Sequence, residues 1–351
     1  MGNLKVLELQ KTGYDAGLLH GKSLKEEIAF LIKSFQDVVL VALRQEVSLD
    51  VIRMKALEFD SHIPKKYSDE MKGIANGAGV DYNDILLINT FEDILNVFSC
   101  SSIVTLKQNI SKPLIHGRNL DYNVRQVVKM PIIFDYQQGF TLVGIPGYIG
   151  GVSSTNENGL TLSYNFAPGI DNPRIGMPSG LMCRKIIEEA KTLSDAQLII
   201  ESTNKTVCNL ITISSINENI AKTFEVSLDA VAARESENGF LCTTNHFIVH
   251  SRADESIKIS ESMNSTSQKR HFSLQDFIKN KQHADVDEIK EALYLVKQGL
   301  DNIAGATVQS IIFLPEEQKL YLANDITIPV NETNNYIEYK YGKVSTTTNK
   351  N

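Results

Sequence analysis

The chain has 351 residues, 42% of them hydrophobic and 22% charged, a globular composition that excludes a disordered segment, a collagen-like repeat and a coiled-coil rod. Lys and Arg total 35 against 42 Asp and Glu, for a formal net charge of -7 at pH 7, and without a long basic run nothing here would neutralise a phosphate backbone, so no nucleic-acid partner is expected. The opening MGNLKVLELQ lacks the apolar core of a secretory signal and no window approaches the ~18 apolar residues of a membrane span, so a soluble, cytoplasmic protein is expected. Four cysteines stand at 100, 183, 208 and 242 with neither CxxC spacing nor a partnering His pattern, so neither a disulfide framework nor a metal site is indicated.

In chain order, the first hundred residues read as helical. Apolar positions from Asp15 to Gln45 (among them Leu24, Ile28, Leu31, Val38 and Val39) recur at helical period. Gly13, Gly17 and Gly21 at its opening leave one face bare, which favours close backbone packing over a ligand role. Pro64 suits the first turn of a second helix ending near Gly77 to Gly79, and a third runs from Asp81 to Val97.

At Cys100 the pattern changes to short strands: SSIVTL, PLIHG, PIIFDY, FTLVGI and, after the NENG turn at Asn156 to Gly159, LTLSYN. Helices are expected at Ser179 to Ala190 and Ser194 to Ser202, then strands NLITISSI, KTFEVSL and FLCTTN. Helices at Ser267 to Asn280 and Val286 to Gln298 follow, then strands IIFLP and KLYLA. The polar tail after about 331 is expected to fray. Strands, a helical pair and strands again indicate an α+β fold of stacked layers.

Cys100 stands where helix gives way to strand, flanked by Ser99, Ser101 and Ser102. The following strand ends in HGRNLD, and if the two pair in register a thiol, the Arg118 guanidinium and the Asp121 carboxylate become neighbours. A nearby cation favours thiolate, and a carboxylate orients an amine or imidazole. His116 and His20 are alternative bases for a papain-like pair, though no CGSCW-like context surrounds the cysteine. On the residues alone, a structural cysteine beside an ordinary Arg–Asp pair remains open.

The ordered segments FSCSSIV, HGRNLDY, ENGLTLSYN and CTTNH resemble the cysteine N-terminal nucleophile hydrolases of the isopenicillin N acyltransferase family and, more distantly, acid ceramidase, N-acylethanolamine acid amidase and the choloylglycine hydrolases. YDAGLLHGKSLKEEI, the GMPSGLMCRKIIEEA helix and GATVQSIIF extend the likeness over most of the chain.

The resemblance implies an αββα four-layer sandwich made as a precursor that cuts itself between Ser99 and Cys100. A helical 1–99 α chain and a 100–351 β chain would stay associated as one fold. It implies a linear amide hydrolase or acyltransferase acting on a small N-acyl amide or acyl thioester, without a cofactor; a homo-oligomer is compatible with this. Cys100 would be the nucleophile and its freed amine the base, with Asp121 holding that amine and Arg118 beside the thiol, supporting Asp121. Asn245 would offer an N–H to the oxyanion, and Tyr164, Asn165 and Arg270 would line the substrate pocket. Phe166, Ala167, Ile303 and Ala304 depart from the relatives at pocket-shaping positions, so the relatives' substrates do not transfer. An unprocessed homologue that binds a ligand is the alternative.

Overall fold

The computed structural model describes residues 4–42, 48–95, 98–122, 131–263, 265–299, 305–323, 325 and 328–342, with 35–42, 95 and 98 by backbone alone. The expected contributions of Val38, Val39, Val97, Ile303 and Ala304, and the end of the polar tail, lie outside those described side chains.

The chain opens with β1 (Lys5–Leu9), followed by α1 (Tyr14–Ser23), α2 (Lys25–Ala42), α3 (Leu49–Leu57), α4 (Lys65–Ala78) and α5 (Tyr82–Leu95). Strands β2 (Phe98–Thr105), β3 (Ile115–Tyr122), β4 (Ile132–Tyr136), β5 (Phe140–Gly144), β6 (Ser153–Asn156) and β7 (Leu160–Phe166) come next. Helices α6 (Ser179–Glu189) and α7 (Leu193–Ser202) lead to β8 (Asn209–Ser215), β9 (Ile220–Val226), β10 (Val231–Glu235) and β11 (Phe240–Thr243). The chain continues through α8 (Ala253–Ser262), α9 (Ser267–Ile278) and α10 (Val286–Leu295) to β12 (Ala306–Leu314), β13 (Lys319–Ala323) and β14 (Tyr336–Lys340).

Three expectations need correction. Residues 5–9 form a strand, drawn into the large sheet by parallel pairing with β4. The long first helix is two, broken at Leu24, whose φ of -125° and ψ of 27° leave the helical region. Part of the polar tail is ordered, because Tyr336–Lys340 completes an antiparallel ladder with β13.

The strands form an eight-stranded sheet, β1-β4-β5-β6-β7-β8-β9-β10, and a six-stranded sheet, β11-β2-β3-β12-β13-β14. Helices α6 and α7 lie on the larger sheet, α9 and α10 on the smaller, and β2 faces β7 across the middle. The architecture is therefore the four-layer αββα sandwich, with a helical N-terminal segment added to the layer over the larger sheet.

The faces of the two sheets differ in chemistry. On β7 and β8, Leu162, Tyr164, Phe166, Ile211 and Ile213 join the apolar core shared with α4 to α7. Their neighbours Ser163, Asn165, Thr212 and Ser214 turn the other way and are fully buried, where they meet the second sheet. Ser163 Oγ lies 2.9 Å from Ser102 Oγ, and Thr212 Oγ1 donates to Thr243 Oγ1 at 3.0 Å. This part of the seam between sheets is a hydroxyl network, while apolar packing lies outside it.

The expected glycine packing is present. A Cβ on Gly17 would stand 1.9 Å from the Glu70 carbonyl oxygen, and one on Gly21 2.2 Å from that of Ile74. Gly73 and Gly77 on α4 answer them, facing the Tyr14 and Leu18 carbonyls at 2.2 and 2.4 Å. Backbones of α1 and α4 thus touch along a stripe that admits no side chain, and Gly79, at φ 72°, closes α4 in the left-handed conformation. In an open helix Gly→Ala stabilises by roughly 0.5–1 kcal/mol; here overpacking reverses the sign. Gly17→Ala is expected to destabilise the protein by about 1–3 kcal/mol, read as a lower denaturant midpoint with unchanged slope.

Candidate active site

Strands β2 and β3 pair antiparallel, and their register sets Ser99 opposite Asp121, Cys100 opposite Leu120 and Ser102 opposite Arg118. Alternation along β3 turns Arg118 towards the larger sheet, where Nη1 donates to the Val152 carbonyl at 2.7 Å and to Ser153 Oγ at 2.6 Å. Its Nη2 donates to Cys100 Sγ at 3.2 Å. The thiol and its cation are both fully buried.

The backbone of Cys100 and the side chains beside it are held from several sides. Asn245 Oδ1 accepts from the Cys100 backbone N–H at 2.9 Å. Arg270 Nη1 donates to the Cys100 carbonyl at 2.5 Å and to Ser101 Oγ at 2.8 Å, while Nη2 donates to Ser99 Oγ at 2.6 Å and to Asn245 Oδ1 at 2.7 Å. These two residues are positioned by neighbours of their own. Ser267, the first residue of α9, accepts from the Asn245 N–H at 2.7 Å, and Arg270 lies one turn further along the same helix. The buried Glu225 carboxylate takes the N–H groups of Ile248, Val249 and His250, pinning the loop just after Asn245.

In the intact chain Asn245 acts through its oxygen. With Oδ1 accepting from the Cys100 N–H, Arg270 and the Ser99 hydroxyl, its amide cannot be turned without setting donor against donor, and Nδ2 is committed to the Phe166 carbonyl at 2.6 Å.

Asp121 shares its face of β3 with Asn119, on the helix side of the smaller sheet. Its Oδ1 accepts from Thr307 Oγ1 at 2.6 Å, and its buried Oδ2 has no hydrogen-bond partner among the described residues. Arg118 and Asp121 share no hydrogen bond; Arg118 favours the carboxylate through its charge alone, and Arg270 is the stronger electrostatic influence. Burial outweighs both cations and pushes the Asp121 carboxyl up to about 6. Burial likewise raises the Cys100 thiol above its ordinary value, with Arg118 and Arg270 pulling in the opposite direction.

Tyr164 and Asn165 do not share a pocket, since adjacent strand residues face opposite ways. Asn165 lies in the seam, accepting from Ser102 Oγ at 3.0 Å and donating to the Thr244 carbonyl at 3.0 Å. Tyr164 packs in the outer core, near Glu92, Asp93 and Cys183. Neither alternative histidine is hydrogen-bonded to the thiol. His116 bridges Ser214 and Ser163, His20 Nε2 accepts from the Gly147 N–H, and burial lowers both rings to about 3. Among the described residues, no group of three or more His, Cys, Asp or Glu side chains is placed to hold a metal, and no helix is long and apolar enough to cross a membrane.

A narrow apolar cavity adjoins this centre, walled by Phe91, Tyr122, Val143 and Tyr148. Leu120, the register partner of Cys100, and Val152, whose carbonyl receives Arg118, also line it. Sequence reading missed its two polar members, Glu92 and Gln309, and missed Thr307. The available signal was the acid pair Glu92–Asp93 inside INTFEDIL and one amide inside ATVQSIIF.

An αββα sandwich with a cysteine and an arginine paired between its sheets defines a class, and comparison places the chain within it. Residues 107–326 match the family model of acyl-coenzyme A:6-aminopenicillanic acid acyl-transferase, and the chain belongs to that family. The match includes Arg118, Asp121, Asn245 and Arg270 and begins just after Cys100. An uncharacterized protein of Archaeoglobus fulgidus is 24% identical over 71% of this chain and 51% of its own. Acid ceramidase of Rattus norvegicus is 20% identical over 50% of this chain and 51% of its own. The solved structure of the Caenorhabditis elegans N-acylethanolamine-hydrolyzing acid amidase ortholog aligns with TM-score 0.46 at 20% identity, covering 62% of this chain and 93% of that one. The chain spans about half the length of these two curated relatives.

Removing the Arg270 guanidinium strips a donor from four oxygens around one peptide bond. Arg270→Met is expected to lower stability by on the order of 3 kcal/mol, with Arg270→Lys intermediate, as measured by denaturant unfolding.

Proposed function

We propose that this protein is a self-processing cysteine amidohydrolase or acyltransferase whose nucleophile is Cys100. The observation that carries the reading is the surroundings of the Ser99–Cys100 peptide: a thiol under a guanidinium, an amide N–H on Asn245, and beside them a buried carboxylate oxygen without a partner.

In the cut, the Cys100 sulfur adds to the Ser99 carbonyl carbon, a C–S bond replaces the C–N bond, and the thiol proton passes to the departing nitrogen. Water then hydrolyses the thioester, leaving a carboxylate on Ser99 and a free thiol and amine on Cys100. A terminal amine has an ordinary pKa of about 7.7–8.0, so near neutrality it takes the thiol proton itself. Asp121 Oδ2 and Asn245 Oδ1 would receive the N–H groups of that amine and turn its lone pair to the sulfur. Arg118 would stabilise the thiolate. The substrate's acyl group would pass to Cys100 as a thioester, then to water in hydrolysis or to an amine in transfer. The family assignment supports an N-acyl amide or acyl thioester as the substrate class.

Intact mass spectrometry of freshly purified protein is expected to give fragments of 99 and 252 residues, with Cys100→Ala remaining a single chain. A lasting single chain with full turnover overturns the reading. A second outcome follows from Asp121, whose carboxylate form is the one that would hold the amine. Because burial raises its pKa, the turnover rate of the cut protein is expected to be sustained above about 6 and to fall as pH drops through that value, with Asp121→Asn slow throughout.

A further inference from the structure

The cavity beside Cys100 is apolar on its walls but not at its far end. Cys100, Leu120 and Gln309 are register partners on β2, β3 and β12 and therefore share one face of the smaller sheet. Two strand spacings separate the first from the last, roughly 10 Å between their Cα atoms. Gln309 lines the cavity, is 1% exposed, and its Oε1 has no hydrogen-bond partner among the described residues. A buried amide oxygen without a donor loses its hydrogen bonds to water and gains none in return, so its persistence in this strand requires an account.

Glu92, on α5, reaches the same cavity from the helical side, and its Oε2 accepts from Tyr148 Oη at 2.7 Å. Burial pushes its carboxyl up to about 8, against the pull of that hydrogen bond. Near neutrality it is an acid that still bears its proton. The cavity therefore presents apolar walls, one free acceptor and one protonated carboxyl.

We propose that this cavity receives the acyl chain of the substrate and that Gln309 and Glu92 select chains bearing a hydroxyl at their far end. The hydroxyl donates to Gln309 Oε1 and lies against the Glu92 carboxyl, while the methylenes between it and the carbonyl line up along Leu120 and Val152. An unsubstituted chain leaves Gln309 Oε1 unpaired, which is the discrimination. The inference rests on the proposed acyl transfer at Cys100 only for the chain's direction, carbonyl towards the sulfur. The pocket itself is present in the intact chain.

The test separates the two ideas by measuring binding without turnover. Unsubstituted and ω-hydroxylated N-acyl glycinamides of six, eight and ten carbons would be titrated calorimetrically into the full-length Cys100→Ala chain. At one chain length the hydroxylated member is expected to bind at least about ten-fold more tightly, the equivalent of about 1.4 kcal/mol, and Gln309→Leu in the same background is expected to abolish that ratio. Equal affinities, failure of every member to bind, or a preference that survives Gln309→Leu each overturns the inference. If Gln309→Leu does not fold, the ratio in the Cys100→Ala chain decides alone. Intact mass and turnover of the unaltered chain judge the Cys100 mechanism separately, so that mechanism can fail while the hydroxyl preference holds, and the reverse.

Discussion

Two guanidinium groups are buried within reach of one peptide bond, and the site is organised around them. Arg118, on β3, reaches the sulfur from the neighbouring strand and Arg270 approaches the Cys100 carbonyl from α9. Burying a cation is tolerable only where its donors are matched, and Arg270 makes hydrogen bonds to five oxygens, four around residues 99–101 and Asn245 and one on Thr266. Against two cations the immediate site holds one carboxylate, Asp121. The local charge is therefore positive, and a group that develops negative charge there, a thiolate or a tetrahedral oxygen, meets a field already in place. A neutral thiol gains little from such surroundings and a thiolate would gain more, which supports the proposed role of Cys100 as the nucleophile.

The hydroxyl seam explains how such a site is kept rigid. In a sandwich of two sheets the facing surfaces are ordinarily apolar and interdigitate. Here serine and threonine side chains hydrogen-bond across the gap, and His116, Arg118 and Asn165 are held in the same network. Dispersion packing tolerates small slips, whereas directional hydrogen bonds between buried groups do not, because each broken one leaves an unsatisfied atom. Apolar cohesion lies on the outer faces, against the helices, where the backbone contact of α1 with α4 brings the N-terminal segment close, and also between the sheets beyond the network, where Ile133 and Val143 meet Ile311 and Phe313.

Much of this was legible in the sequence. The helix-to-strand change at Cys100, the stacked α+β layers and the role of Gly17 and Gly21 followed from period and residue size. What could not be read is which face of a strand is wet. LTLSYNF alternates as a half-exposed strand would, yet both faces of β7 are buried, one by helices and one by the second sheet. That ambiguity is why Tyr164 and Asn165 looked like pocket partners when they point apart. The orientation of the Asn245 amide was equally hidden, since it is decided by Cys100 and Arg270, remote in sequence. Strands β1 and β14 are short and polar at intervals, and pairing with β4 and β13, not propensity, makes them strands.

Cutting a chain in the middle of a paired strand ordinarily invites unfolding, and the topology answers that objection. Residues before Cys100 supply β1, registered over five positions with β4, and helices whose apolar faces share one core with β4 to β8. Separating the two parts would strip an edge strand and expose that core to water at about 25 cal/mol per Å² of apolar surface, a far larger penalty than the loss of one covalent link. At the proposed cut, Ser99 is gripped by Arg270 and paired across from Asp121, while Cys100 is retained by β3, Arg118 and Asn245. The fold would thus hold both new ends where the peptide bond had been. A thiol and an amine on one residue could then act together without any rearrangement of the sheets around them.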